Sequence, residues 1–190
     1  MMQKRCTWAG DDPLMVAYHD REWGVPVHDD RKHFEFLVLD AFQAGLSWAI
    51  VLKKRENFRR AFDDFDPEKI ARYRATRIAR LLRDEGIIRN RQKVEGTVRN
   101  ARAFLQVQEQ HGSFDAFVWD FVDGKVRRNA WKARGQIPAR TAESDRLSAA
   151  LKARDFTFVG STICYAYMQA AGLVNDHVVS CFRYAAVRKA

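Results

Sequence analysis

A chain of 190 residues with 47% hydrophobic and 12% aromatic side chains is long enough to bury one sizeable core and too short for a string of domains. No apolar run approaches the ~20 residues of a membrane helix, and Met1-Met2-Gln3-Lys4-Arg5 leads into polar sequence, so the expectation is a soluble, cytoplasmic protein with no membrane partner. Thirty-three Lys and Arg against 24 Asp and Glu give +9, the balance of a protein that meets phosphates or simply stays soluble, and three cysteines cannot build a disulfide framework.

The chain opens with Cys6-Thr7-Trp8, Tyr18-His19-Asp20 and Glu22-Trp23-Gly24-Val25-Pro26. This arm has little periodicity but carries anchoring aromatic surface that must pack onto something. Phe34, Leu37, Val38, Ala41 and Phe42 then repeat as on a helix, capped by Asp29 or Asp30, and Phe36 and Leu39 make its other side apolar as well. Such a helix is buried nearly all round. Asp40 therefore sits where ionisation costs several kcal/mol unless the acid is paired, solvated or turned into a cavity that receives a polar or cationic ligand. Two readings stand: a core aspartate bonded to a neighbouring backbone, or a functional acid. Gly45 can close the helix in a left-handed conformation and Ser47 can cap the next, which displays Leu46 and Trp48 on the turn.

A second helix is expected from Trp48 to about Phe62, and a third begins at Asp66-Pro67-Glu68, with Asp as cap and Pro as first helical residue. Thr76 opens a helix that stops at Gly86. Ile87-Ile88-Arg89 link it to Asn90, the cap of a long helix with Val94, Val98, Ala101 and Leu105 on one face. The pattern over about 76–107 is a helix-hairpin-helix. Glycine lets backbone approach a phosphate, free N–H groups at the second helix's start bind the anion, and Arg83, Arg89, Arg91 and Lys93 crowd the same place. A solvated basic face explains those cations equally well. Further helices follow from Ser113, from Ser144 to about Ala153 and from Ser161 to Ala171, and the basic segment Lys125 to Arg140 reads as a surface loop. No strand pattern of length appears, so the class is all-α.

His177 and Cys181 are four apart, close enough on a helical turn for one metal ion, and Cys6 and His19 supply a second pair. Together they would make a closed Cys2His2 shell, hence a structural zinc; alternatively they are two core cysteines and two ordinary histidines. Cys164, in an apolar helix, is a small buried hydrophobe.

These residues, with Gln43-Ala44-Gly45-Leu46-Ser47-Trp48, Lys54-Arg55-Glu56-Asn57, Phe158-Val159-Gly160-Ser161-Thr162 and Asn175-Asp176-His177-Val178-Val179, resemble the 3-methyladenine DNA glycosylase I family over almost the whole chain. The resemblance implies an all-helical fold of the helix-hairpin-helix glycosylase superfamily and one domain over 1–190. It also implies a zinc held by Cys6, His19, His177 and Cys181 that joins segments of about 1–24 and 173–190. A flipped base would lie against Trp48, Tyr18, Trp8 and Gln43, with the acid at position 40 as catalytic residue. DNA contacts would come from Leu46 as a wedge and from Gly86, Arg89, Asn90, Arg91 and Lys93.

The family usually has glutamate where this chain has Asp40, whose reach is shorter by ~1.5 Å. Many superfamily relatives use an aspartate after the hairpin; Asp115 lies there, but its place in Ser113-Phe114-Asp115 suits a helix start. The function implied is a monofunctional glycosylase that releases N3-alkylated adenine from double-stranded DNA and acts as a monomer. The competing readings are a non-catalytic or damage-sensing DNA-binding protein of the same fold, a glycosylase for another alkylated base, or a plain structural-metal domain.

Overall fold

Most helices begin where the sequence supplies a capping side chain. Asp12 accepts from Leu14 and Met15 N–H at the head of α1 (Pro13–Arg21), and Asp29 from Lys32 N–H at the head of α2 (Asp30–Gln43). Asp66, Asn90, Ser113 and Thr141 do the same for α4 (Pro67–Ala71), α6 (Arg91–His111), α7 (Phe114–Trp119) and α8 (Ala142–Lys152). Ser47 stands at the cap position of α3 (Trp48–Ala61), though its hydroxyl makes no capping bond; α9 (Ser161–Ala170) likewise starts after Gly160 without one. In this computed structural model, which describes residues 3–187, short helices α5 (Ala75–Leu81) and α10 (Phe182–Ala186) complete the set.

Two sequence expectations shift. α5 ends at Leu81 rather than Gly86, because the backbone from Leu82 onward closes a series of tight turns, Arg83 N–H to Arg80 O and Asp84 N–H to Leu81 O, each 3.1 Å. The segment read as a surface loop contains β1 (Arg127–Arg128), which pairs in parallel with β2 (Val174–Asn175) in the register Arg127 to Val174. The two-residue ladder is too short to leave a periodic signal. The mostly helical class stands.

The core is built around α2, in which His33 through Phe42 are all buried. Phe34 meets Phe104 edge-on at 5.0 Å, and Phe104 stacks on Phe114 at 4.2 Å. Phe42 packs against Phe58 at 4.7 Å. One buried ion cluster interrupts the apolar contacts: Arg55 of α3 donates to Glu35 of α2 at 2.6 Å and pairs with Glu22, just after α1, at 2.9 Å. Burial opposes charge on Glu35, but Arg55, Lys32 and Arg59 outweigh it and hold the carboxyl below its ordinary value. The cluster thereby locks the end of α1 to α2 and α3. Among the described residues no helix is long and apolar enough to cross a membrane.

The N-terminal arm is tied to the end of α9 by Gly24 N–H to Gln169 O and Val27 N–H to Ala171 O, both 3.0 Å. Gly172 makes this approach possible: its φ is +73°, and a Cβ would collide with the Val25–Pro26 backbone. Gly172→Ala is expected to destabilise the protein by at least about 2 kcal/mol in urea unfolding, through strain plus clash. Gly112→Ala, where φ is +82° and space is open, should cost only about 1 kcal/mol.

Candidate active site

A cavity of about 580 Å³ opens between the N-terminal arm, the end of α2, the start of α3, and α9. Its wall is aromatic. Trp8, Tyr18, Trp23 and Trp48 line it, with Tyr18 and Trp48 centred 5.1 Å apart, Trp8 and Tyr18 6.3 Å, and Trp8 and Trp23 4.9 Å. Asp40 and Gln43 line it too, so the acid and its proposed base-contacting neighbours converge on one space. Gln43 also donates to Leu46 O at 2.9 Å, which fixes the turn on which Leu46 stands 37% exposed.

Asp40 is buried, and its Oδ2 has no hydrogen-bond partner. Burial alone pushes its carboxyl well above the ordinary value. A second buried acid shows what a structural aspartate looks like in this chain. Asp176 receives Trp131 Nε1 and Asn129 Nδ2 on Oδ1 at 2.8 and 2.7 Å, and Tyr165 OH and Gln169 Nε2 on Oδ2 at 2.6 and 2.8 Å. Four donors satisfy one carboxylate and none reaches Oδ2 of the other. Trp48 Nε1 is likewise buried without a partner, so the pocket holds an orphaned acceptor and its wall an orphaned donor.

Sequence reasoning missed part of this wall. Arg134, Ile137, Pro138 and Ala139, from the segment read as surface loop, close one side of the cavity, and Tyr165 and Gln169 of α9 close another. Asp176 holds these pieces together by bonding Trp131 and Asn129 as well as α9. The one signal available was Trp131, an aromatic in an otherwise basic run.

Cys6, His19, His177 and Cys181 come together as a buried group whose ligand atoms all lie within 4.8 Å of one another. Cys6 Sγ and Cys181 Sγ are each 3.6 Å from His177 Nδ1, and Cys181 Sγ is 3.5 Å from His19 Nε2. The outer nitrogens are engaged: His19 Nδ1 with Asp20 at 2.7 Å, itself gripped by Arg5, and His177 Nε2 with Trp23 O at 3.0 Å. His177 and Cys181 meet on a non-helical turn, closed by Cys181 N–H to Val178 O at 2.8 Å, rather than on a helix. Residues 1–2 and 188–190 of the expected terminal segments lie outside the described residues. Cys164 is fully buried away from this group.

At the α5–α6 hairpin, Arg89, Asn90 and Arg91 are exposed, and the arginines make only rim pairs with Glu85 and Glu95 at 3.4 and 3.2 Å. Gly86 O accepts from Lys54 Nζ and Asn57 Nδ2, which ties the turn to α3. Lys93 departs from the expected DNA contact. It is buried and donates to Phe42 O and Ala44 O at 2.9 and 2.7 Å, so its ammonium caps the end of α2 instead of facing solvent. Asp115 sits in the first turn of α7, bonded to His28 and His33 at 3.0 to 3.2 Å, and is not part of the pocket wall.

A family model described as methyladenine glycosylase matches residues 8–184. The chain belongs to the methyladenine glycosylase family. It is 51% identical over 181 residues to DNA-3-methyladenine glycosylase 1 of Escherichia coli (strain K12), which covers 95% of this chain and 97% of that protein. A crystal structure of a 3-methyladenine DNA glycosylase I superposes with a TM-score of 0.91 at 53% identity, covering 94% of this chain and 98% of the other. The Staphylococcus aureus glycosylase I, whose structure concerns 3-methyladenine recognition by that protein, has a TM-score of 0.91 at 35% identity, with 94% and 95% coverage.

Within this methyladenine glycosylase the pocket acid leaves a thermodynamic signature. A carboxyl whose folded pKa is raised by burial contributes stability below its unfolded value, and that stability is lost as pH rises toward the folded one. Asp40→Asn removes the dependence. The variant is expected to be more stable than the parent near neutral pH, by a margin that grows from about pH 4 upward and vanishes in acid, measured by urea unfolding across pH.

Proposed function

We propose that the chain turns N3-alkylated adenine out of double-stranded DNA into the aromatic cavity and hydrolyses its N-glycosidic bond, leaving an abasic site. The observation that carries this reading is Asp40 Oδ2, buried without a partner in the cavity of a methyladenine glycosylase. The substrate supplies most of the driving force, since an adenine alkylated at N3 is cationic in DNA and departs as a neutral base. The C1′–N9 bond breaks with its electron pair going to N9; water adds to the sugar's developing oxocarbenium and loses a proton. No strong general acid is needed.

The protein's work is to select the cation, hold it outside the duplex and stabilise the positive charge as it moves to the sugar. Aromatic faces at Tyr18, Trp48 and Trp8 attract a cationic ring by ~0.5–2 kcal/mol each. Asp40 accepts a hydrogen bond from the exocyclic amine and sets a negative charge opposite the ring. Its charge is costly in the empty pocket, so a cationic base relieves a cost that neutral adenine cannot.

The remaining parts of the reading complete the enzyme. The donor set Cys6, His19, His177 and Cys181 fits zinc, because Zn–S and Zn–N bonds of 2.3 and 2.0 Å in a tetrahedron require an S···N edge of about 3.5 Å, close to the 3.5 and 3.6 Å observed. Bound there, the metal would supply a closed cross-link between the N-terminal arm and the segment before α10, with no open position for substrate. α5 and α6 act as the helix-hairpin-helix: Asn90 Oδ1 occupies Lys93 N–H, and the remaining first-turn donors with Arg89 and Arg91 face a phosphate. Leu46 fills the gap left by the flipped base. The chain works as one domain and a monomer, in the cytoplasm where it meets DNA.

Incubation with methylated duplex DNA is expected to release free 3-methyladenine, resolved by chromatography. Tight DNA binding with no base released would leave a non-catalytic, damage-sensing protein, and release of a different alkylated base would move the specificity. Elemental analysis should find one zinc per chain, and Cys181→Ala should lower the unfolding midpoint by roughly 10 °C. Metal-free purified protein with the parent's stability would remove the cross-link.

A further inference from the structure

A second cleft, of about 490 Å³, lies between the C-terminal half of α3 and α5. Arg60, Arg77, Arg80 and Arg83 line it against a single acid, Asp84. Guanidiniums so gathered repel one another unless a negative group sits among them. The chain's own acids offset this only in part, at Arg77. Asp84 Oδ1 accepts Gly86 N–H at 2.8 Å, and Asp63, bonded by Tyr73 OH at 2.5 Å, reaches only Arg77, at 3.4 Å. Among the described residues Arg80 and Arg83 make no ion pair, and both are exposed.

The cleft is also organised. Arg77, Arg80 and Arg83 are spaced by three along α5 and the turn that follows, so they rise along one edge. Arg77 is anchored by its bond to Ala61 O at 2.8 Å and lies over the Tyr73 ring at 5.1 Å, while its Nε is buried with no partner. Arg80 and Arg83 leave their guanidiniums exposed and, among the described residues, without an ion pair at the cleft, and paired arginine forks match the tetrahedral oxygens of phosphate.

We propose that this cleft is a second phosphate clamp, which seats a backbone phosphodiester of the same duplex whose damaged base occupies the aromatic cavity. The ligand assignment rests on the DNA-glycosylase reading. Gly86 belongs to the cleft wall and to the hairpin turn at once, and Lys54 and Asn57 tie that turn to α3, so cleft, hairpin and base pocket hold a fixed spacing. Along α3 the twelve residues from Trp48 to Arg60 span about 18 Å. That distance corresponds to roughly five nucleotides of duplex.

The test uses the full chain carrying Arg80→Glu and Arg83→Glu, both exposed and outside the base pocket. Binding to an undamaged 20-bp duplex is titrated against salt, with free 3-methyladenine and inorganic tripolyphosphate as parallel probes. The clamp predicts at least tenfold weaker duplex binding at low salt and a salt slope shallower by about one. Free 3-methyladenine should bind as it does to the parent, showing an intact pocket and fold. Unchanged duplex affinity and slope overturn the clamp, as does tripolyphosphate binding lost in the variant while duplex binding is retained. If the variant loses duplex affinity but the parent releases no alkylated base, the clamp stands and the catalytic reading falls. If the parent releases base and the variant binds DNA like the parent, the reverse holds.

Discussion

Putting a charge on a carboxyl inside a helix that is buried on every side is costly, and the surroundings of Asp40 leave that cost unrelieved. Five residues earlier on the same helix, Glu35 has Arg55, Arg59 and Lys32 to offset its burial. Asp176, equally buried, has four donors. Only at Asp40 does a buried carboxylate oxygen lack any partner among the described residues, and it does so at the wall of an aromatic cavity. The fold thus supplies counter-charges or hydrogen-bond donors to the buried acids Glu35 and Asp176 and leaves Oδ2 of Asp40, in the pocket proposed to take a cationic base, without them. Stability given up at a binding site is the usual counterpart of such preorganisation.

The cavity is assembled from distant parts of the chain, so cross-links matter more than any single helix. The arm that carries Trp8, Tyr18 and Trp23 is held to α9 by backbone bonds around Gly172 and to the C-terminal segment by the Cys6, His19, His177, Cys181 group. The wall from Arg134 to Ala139 is held by the β1–β2 ladder and by Trp131 and Asn129 on Asp176. Lys93 fastens the carbonyl end of α2 beside the pocket. Loosening any of these straps moves a wall of the site without touching the acid.

The parts legible in the sequence were those with local signals. Capping residues at Asp29, Asp66, Asn90 and Ser113, the all-round apolar pattern of α2 with its one acid, and the left-handed Gly45 are each written within a few residues. Spacing alone left the cysteine–histidine group open between metal shell and core; the structure brings its four ligand atoms together. What stayed hidden was long-range. The side chain of Lys93 looks like part of a basic hairpin until its 51-residue contact to Phe42 O is seen. Likewise the Lys125 to Arg140 segment has no period because, beyond one short turn at Arg134–Gln136, it is held by distant partners, Asp176 and the strand Val174–Asn175.

The buried charge at position 40 is proposed to act directly on the substrate. The most direct measurement is the single-turnover rate of 3-methyladenine excision by Asp40→Asn, which keeps the shape of the acid and removes its charge, on protein whose fold is verified by circular dichroism. A loss on the order of a hundredfold or more is expected, comparable to removing one preorganised transition-state contact. Excision at the parent rate would make Asp40 a structural residue and contradict the mechanism.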